Sequence, residues 1–288
     1  MAKSLKKQQE NYLSNFLGGT TRIILIVGLM IIIIFPFYWL LSSAFKLEQD
    51  YFAQPPVIIP LQGTFRNFID VFAKFGATKA LYNSIMIASL TTVLTVTFGS
   101  LASYSLVNGL LPRKIKNILA GWFLIQKMYP AIVVAVPVFF VINKLRLLDN
   151  IMALVIMNTS FNLPLVILLM IGFYSEAPYE VEEQGMLEGC NLFQRFFYIT
   201  TPMVKGGLVA VGMLTFIASW NEFLYAVILT IKNSKPLTVT IAGFITDKGL
   251  LWGPMAAMGC VVIIPVLILM WIMQRDFVSG VSAGALKG

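Results

Sequence analysis

Apolar stretches dominate the chain, and six of them approach the roughly 20 residues needed to cross a hydrocarbon core. They cover residues 23–41, 82–107, 118–142, 151–174, 206–231 and 250–273, the third being interrupted by Gln-Lys-Met-Tyr-Pro. The predicted fold class is all-α: a polytopic membrane helical bundle of six transmembrane helices, with both termini on one side. The first run follows Lys3, Lys6 and Lys7 and precedes Ser42-Ser43-Ala44, as a secretory signal would. Signal cores run only roughly 7–15 residues, so this longer run is read as an uncleaved span. The chain divides into an N-terminal tail (1–22), a membrane domain (23–274) and a C-terminal tail (275–288).

Between the runs, two polar stretches have patterns of their own. Residues 42–81 pass from an extended, Pro-rich part, Gln54 to Pro60, into a segment with Phe65, Phe68, Ile69, Phe72 and Phe75. That spacing is helical and predicts an interfacial or docking helix. The stretch is too short to be a solute-capturing domain, so capture of a dilute solute needs another protein. The second stretch, 175–203, holds Glu176, Glu180, Glu182, Glu183 and Glu188, five of the thirteen acidic residues. Pro178 suits a first helical turn, and the early glutamates favour the positive end of the helix dipole. Gly189 suits a left-handed stop. Asn191 and Gln194 have the spacing of a reciprocal cap. A second short helix then carries Phe193, Phe196, Phe197 and Ile199 and is predicted to end before Pro202. The pair reads as a solvated loop, a reactive acidic site, or a rigid peg for a water-soluble partner. The aromatics beside the caps favour the peg. No histidine or nucleophile–base set accompanies the acids, which argues against the reactive site.

Composition narrows the class. Of 288 residues 58% are hydrophobic and 12% charged, against about a quarter charged in soluble domains. The net charge of +8 is spread thinly rather than in a stripe, so the basic residues read as membrane-surface anchors and not as a nucleic-acid site. With the N-terminus inside, eleven Lys and Arg fall on the inner side and nine on the outer. The basic N-terminus and the Arg113-Lys114-Ile115-Lys116 loop set the orientation, making the acidic insert and both termini cytoplasmic. Cys190 and Cys260 lie in different settings, so neither a disulfide nor a zinc site is expected. No phosphate-binding Gly-x-x-x-x-Gly-Lys-Ser/Thr loop occurs, so the chain has no ATP site of its own and is not expected to be an enzyme.

Several residues inside the runs invite function. Lys127 either marks a site within the membrane or snorkels to its surface. Glu222 pairs with Lys127 or caps a break in its helix. Asn158, Ser160 and Asn162 precede Pro164, which favours a kink. They line a path for hydroxyl-rich cargo or hold helices together, and Tyr129, Asn158 and Asn162 are the candidate pathway residues. Gly99, Ser100, Ala102 and Ser103 are read as small residues for close helix packing.

The insert resembles the cytoplasmic EAA motif of ABC importer permeases, with Glu182, Glu183, Gly189, Phe196, Ile199 and Pro202 in register. It departs from that motif at Gln184, Gly185, Glu188 and Cys190, and Gly185 loosens the first helix by about 1 kcal/mol relative to alanine. The segments Asn83-Ser84-Ile85-Met86, Ser219-Trp220-Asn221-Glu222-Phe223 and the tail from Gln274 are similar to the carbohydrate, maltose-permease-like branch. The resemblance covers nearly the whole chain. It implies a permease subunit of a sugar, oligosaccharide or polyol importer, resident in a bacterial or archaeal plasma membrane. The implied partners are a second permease subunit, two ATP-binding subunits and an extracytoplasmic solute-binding protein. No cofactor is implied beyond the ATP those subunits bind. It further implies a cytoplasmic coupling helix between the fourth and fifth spans, using Glu182, Glu183, Glu188, Gly189, Phe196 and Pro202. Gly280, Gly284 and Lys287 would be tail residues that contact the ATPases. The alternative is an ion-gradient-driven secondary transporter using Glu222 as its ion site.

Overall fold

A computed structural model describes residues 2–109, 111–247 and 249–285. Helix α1 (Ala2–Ala44) runs without a break through Pro36 and joins the expected N-terminal tail to the first span. A short 3₁₀ turn and the Pro-rich segment lead to α2 (Arg66–Ala73), then α3 (Ala77–Asn108). Next come α4 (Arg113–Met128), α5 (Ala135–Lys144) and α6 (Ile151–Glu176). The helix over the 65–75 pattern forms as expected, but only part of its apolar stripe is covered. Val71 is buried and Phe68 packs on the core, whereas Phe65, Ile69 and Phe72 are exposed.

Among the described residues, four helical segments are long and apolar enough to cross a membrane: Thr21–Ala44, Ala77–Asn108, Ile151–Glu176 and Trp252–Gln274. The count rises to six if each of two bent helix pairs is one span. The third run is one of those pairs, turning by 90° at the Tyr129-Pro130 break that the sequence marked. The other pair is residues 192–203 with α10 (Lys205–Trp220); beyond α10 the fifth run breaks before α11 (Leu224–Leu229). Sixteen residues in α10 span about 24 Å, short of a core of ~30 Å.

The described residues are mostly helical, as expected, and two details differ. The chain is not wholly α: after α12 (Leu237–Ala242), β1 (Ile245–Thr246) pairs antiparallel with β2 (Gly249–Leu250). Gly249 has φ +113, a conformation open to glycine, and it lets the strand pair fold back. Leu250 therefore belongs to the strand pair, and the last span starts at Trp252, in α13 (Trp252–Ala285).

Packing is tightest between α3 and α6. A β-carbon at Gly99 would collide with Val166, and the Ser103 hydroxyl donates to the carbonyls of Gly99 (2.6 Å) and Ile167 (3.0 Å). Ser100 and Ser103 are buried there too, so the small residues let two backbones approach as expected. One apolar cluster unites α2, the first turns of α3, the end of α1 and α13. A second joins α5, α6 and α11, and a third joins the far ends of α3 and α6 to the polar insert.

Candidate functional site

The insert folds as two short helices joined by a glycine turn. The first, α7 (Tyr179–Leu187), starts directly after Pro178. It ends with Gly189 at φ +84. Cys190 N–H donates to the Gly185 carbonyl (2.9 Å) and Gly189 N–H to that of Met186 (3.0 Å), the two bonds of a Schellman stop. Asn191 then caps the second arm. Its side chain accepts from Gln194 N–H (2.9 Å), and the Gln194 side chain accepts from Asn191 N–H (2.8 Å). That arm comprises α8 (Leu192–Gln194), a π-helical turn (Arg195–Thr200) and α9 (Thr201–Met203).

Pro202 does not end the second arm, contrary to the sequence reading. In an α-helix its ring would meet the carbonyl four residues back. The wider π turn before it moves that carbonyl aside, and the helix continues to Met203. The chain then turns by 83° into α10.

Glu182 is the centre of the hairpin and is only 3% exposed. Its carboxylate accepts from Tyr104 Oη (2.6 Å) and Asn108 Nδ2, both near the end of α3. It also accepts from Thr200 Oγ1 (3.3 Å) and Arg195 Nη1 (3.4 Å) in the second arm, the last contact being an ion pair. The Tyr104 ring packs edge-on against Tyr174 of α6 and tilted against Phe196. One carboxylate thus ties both arms to the end of α3, and an aromatic cluster adds α6.

Of the residues proposed from sequence, Glu182 and Phe196 are buried in this hub, while Glu183, Glu188, Gly189 and Pro202 are exposed. Leu187 (83% exposed) and Phe193 (67%) flank the turn. The hairpin therefore presents an apolar and acidic outer face. Sequence reasoning missed Tyr104, Asn108, Arg195 and Thr200. The signal for the first two was present: Ser100, Tyr104 and Asn108 recur every four residues, one face of an otherwise apolar helix.

Gly185 was read as a loosening of α7. It is instead where the two arms touch: a β-carbon would collide with Ile199 Cδ1 and come within 3.6 Å of Arg195 Cγ.

Of the candidate pathway residues, Asn158 and Asn162 lie together and Tyr129 lies at a separate helix break. Asn158 is buried and donates to Ser219 Oγ (3.2 Å), bridging α6 to α10. Asn162 is buried and donates to the Asn158 carbonyl (2.8 Å). Each amide thus donates one hydrogen bond inside the bundle. Tyr129 is exposed at the α4 break, 6.5 Å from the Phe161 ring. Glu222 caps α11, accepting from Tyr225 N–H (2.7 Å) and Ala226 N–H (3.0 Å). Lys127 lies exposed in the last turn of α4, and no ion pair joins it to Glu222. Gly280 and Gly284 lie within α13, and Lys287 falls outside the described residues. No cluster of metal-binding side chains occurs among the described residues.

A second carboxylate hub lies far from the first. Asp149, beyond α5, accepts from the backbone N–H groups of Ile231, Lys232, Asn233 and Ser234 (2.9–3.1 Å) and from Ser234 Oγ. Desolvation raises its pKa, but the four backbone donors outweigh that and hold it well below the usual carboxylate range.

Comparison with known proteins agrees with this architecture. The chain is 32% identical over 267 residues to the trehalose transport system permease protein SugB of Mycobacterium tuberculosis, covering 92% of this chain and 95% of that one. It is 31% identical to the sulfoquinovosyl glycerol transport system permease protein SmoH of Agrobacterium fabrum, covering 96% of each. It is 30% identical to the trehalose/maltose transport system permease protein MalG of Thermococcus litoralis, covering 93% and 97%. The fold matches a chain from the crystal structure of a bacterial ABC transporter involved in the import of the acidic polysaccharide alginate. That match has a TM-score of 0.76 at 20% identity and covers 92% of this chain and 98% of that one. Residues 95–275 match the sequence profile of binding-protein-dependent transport system inner membrane components, and the chain belongs to this family, the membrane permease subunits of ABC importers.

Proposed function

We propose that the chain forms part of the translocation path of an ATP-driven importer for a sugar, oligosaccharide or related polyol. The hairpin 175–203 is the lever through which ATPase subunits move it. The observation that carries this reading is the Glu182 hub. It fixes a short, exposed hairpin to the ends of α3 and α6, so force on its outer face passes into two membrane helices. Only contacts that differ between two states transmit energy, and the exposed face around Leu187, Phe193, Glu183 and Glu188 is available to make them. The carbohydrate assignment rests on the cargo named for the relatives, trehalose and maltose among them.

The remaining parts follow from this assignment. ATP is hydrolysed by two partner subunits against the hairpin side, which is the cytoplasmic side and holds both termini. The six apolar runs, two of them broken, are the six spans. A second permease chain completes the path, and an extracytoplasmic binding protein delivers solute. The apolar body of α1 is uncovered by the rest of the chain, which suits contact with lipid or with that second chain. An ion-gradient mechanism would need Glu222 free to bind an ion, but its oxygens cap α11.

The test is crosslinking in the assembled importer. With Cys190 and Cys260 replaced by serine, Leu187→Cys and Phe193→Cys are expected to trap an ATPase subunit. Proteoliposome uptake is expected to require both ATP and the binding protein. Failure of both cysteines to capture such a subunit while uptake persists sinks the lever.

A further inference from the structure

At the end of α3 opposite the Glu182 hub, a cavity of about 260 Å³ is lined by Lys79, Lys232 and Lys235 together with Asn83, Phe75 and Phe244. The 32 residues of α3 place its two ends about 48 Å apart. The Lys79 side chain and the backbone that carries Lys232 and Lys235 are held in place by their surroundings. Lys232 and Lys235 lie on a loop whose backbone is clamped by Asp149. Buried Asn83 donates to the carbonyls of Asn233 (2.9 Å) and Lys235 (3.0 Å), and Lys79 Nζ donates to Asn233 Oδ1 (3.0 Å). The Phe75 and Phe244 rings meet edge to face at 4.9 Å and form an apolar wall.

Three like charges around one cavity repel one another. Among the described residues no carboxylate forms an ion pair with any of them. Asp149, which clamps this loop, points its oxygens at backbone N–H groups instead. Such a site is relieved by an anion from outside the chain. Its surroundings indicate which kind. The chain enters the cavity wall from α2, whose Ile69 and Phe72 are exposed, as is Phe65 just before it. Tyr82, one turn beyond Lys79, and Ile231, beside Lys232, are exposed as well. Aromatic and aliphatic side chains flanking lysines at a span end fit the headgroup layer of a bilayer.

We propose that this cavity binds the phosphate of an anionic phospholipid headgroup, in the leaflet opposite the hairpin, with its acyl chains lying against Phe72 and Tyr82. The bound lipid pins the 231–244 loop to the start of α3.

The test uses the full-length chain with its co-purified subunits, in nanodiscs of phosphatidylcholine or of an equal mixture with phosphatidylglycerol. Retained lipid is read by native mass spectrometry. Phosphatidylglycerol is expected to be retained preferentially, with roughly a fivefold loss of affinity per lysine neutralised in Lys79→Gln, Lys232→Gln and Lys235→Gln. The control Lys144→Gln/Arg146→Gln, also at span ends, is expected to leave retention unchanged. Where the triple variant does not fold, single variants at the exposed Lys232 and Lys235 carry the same reading. Equal retention of the two lipids, or an equal loss in the control, overturns the proposal. So does protection of the lysines from amine labelling by soluble glycerol 1-phosphate or glucuronate in phosphatidylcholine discs, which assigns the cavity to a free phosphate or an acidic solute. The measurement needs neither ATP nor transport, so its failure is separable from failure of the lever.

Discussion

The molecule holds two carboxylates at opposite ends, each surrounded by donors, and they are built differently. Glu182 is fed by side chains from separate elements: Tyr104 and Asn108 on α3, Arg195 and Thr200 in the second arm. Asp149 is fed mainly by four successive backbone N–H groups of one loop. A side-chain network joins parts that are otherwise independent, and each donor can be lost singly. A backbone nest freezes one loop, and no substitution of a donor side chain abolishes it. The first arrangement suits a joint that carries force between a hairpin and two helices. The second suits a fixed rim.

The sharpest way to break the comparison is Glu182→Ala. It leaves Arg195, whose side chain is 11% exposed, without its counter-charge, along with the buried Tyr104 hydroxyl. Breaking a buried pair from one side costs about 3–5 kcal/mol. A large drop in the thermal midpoint of the purified importer is expected, with ATP hydrolysis no longer tied to uptake. Glu182→Gln keeps the volume and is expected to fall between wild type and Ala. If Glu182→Ala melts like wild type, the hub does not hold the hairpin.

Asp149→Ala comes next. Charge-assisted hydrogen bonds contribute about 1.5–3 kcal/mol, and water can replace part of what the half-buried carboxylate supplied. The loss is expected in thermal stability, with ATP coupling intact, the reverse of a joint defect. The pH dependence has a definite sign. The folded pKa is depressed, so the stabilisation is fully present above the unfolded value of about 3.9. It is lost as pH falls from there through the folded pKa. The gap between wild type and Asp149→Asn should therefore be constant from neutral pH down to about 4 and close only in stronger acid.

How much of this was legible in the sequence depended on the range of the interaction. The Gly189 stop and the Asn191–Gln194 box involve neighbours a few residues apart, and both formed as the pattern implied. Glu222 was readable as a cap for the same reason. The hub was not, because Glu182 and its α3 partners are separated by 78 and 74 residues. No local pattern says that an acid in a charged run points inward. Pro202 failed differently: a proline rule written for α-helices does not anticipate a π turn that accommodates the ring. Gly185 was judged by helix propensity alone, when the second arm's Ile199 decides its size.

Gly185→Ala sharpens that last point. Alanine gains roughly 1 kcal/mol of helix propensity over glycine, but its β-carbon runs into Ile199, and overpacking costs about 1–3 kcal/mol. The net expectation is a modest loss of stability. Ile199→Val leaves a gap beside wild-type Gly185, so combining the two substitutions should recover more than the separate effects predict. A double-mutant cycle on thermal unfolding reads this coupling. Additive effects would mean that the arms do not meet at Gly185.

The smallest effect separates helix glue from pathway. Asn158 bridges α6 to α10 through Ser219, and hydrogen bonds between membrane helices average only about 0.6 kcal/mol. Asn158→Ala is therefore expected to lower stability slightly and leave the half-saturating solute concentration for uptake unchanged. Ser219→Ala should produce the same small loss, and the pair together should cost little more than either alone, since each single change already removes the bond. A solute cannot reproduce that cycle: a residue that contacts cargo changes uptake affinity without regard to its helix partner. If Asn158→Ala weakens uptake severalfold while stability is unchanged, the amide faces cargo in another conformation of the transport cycle, and its burial here is a property of one state.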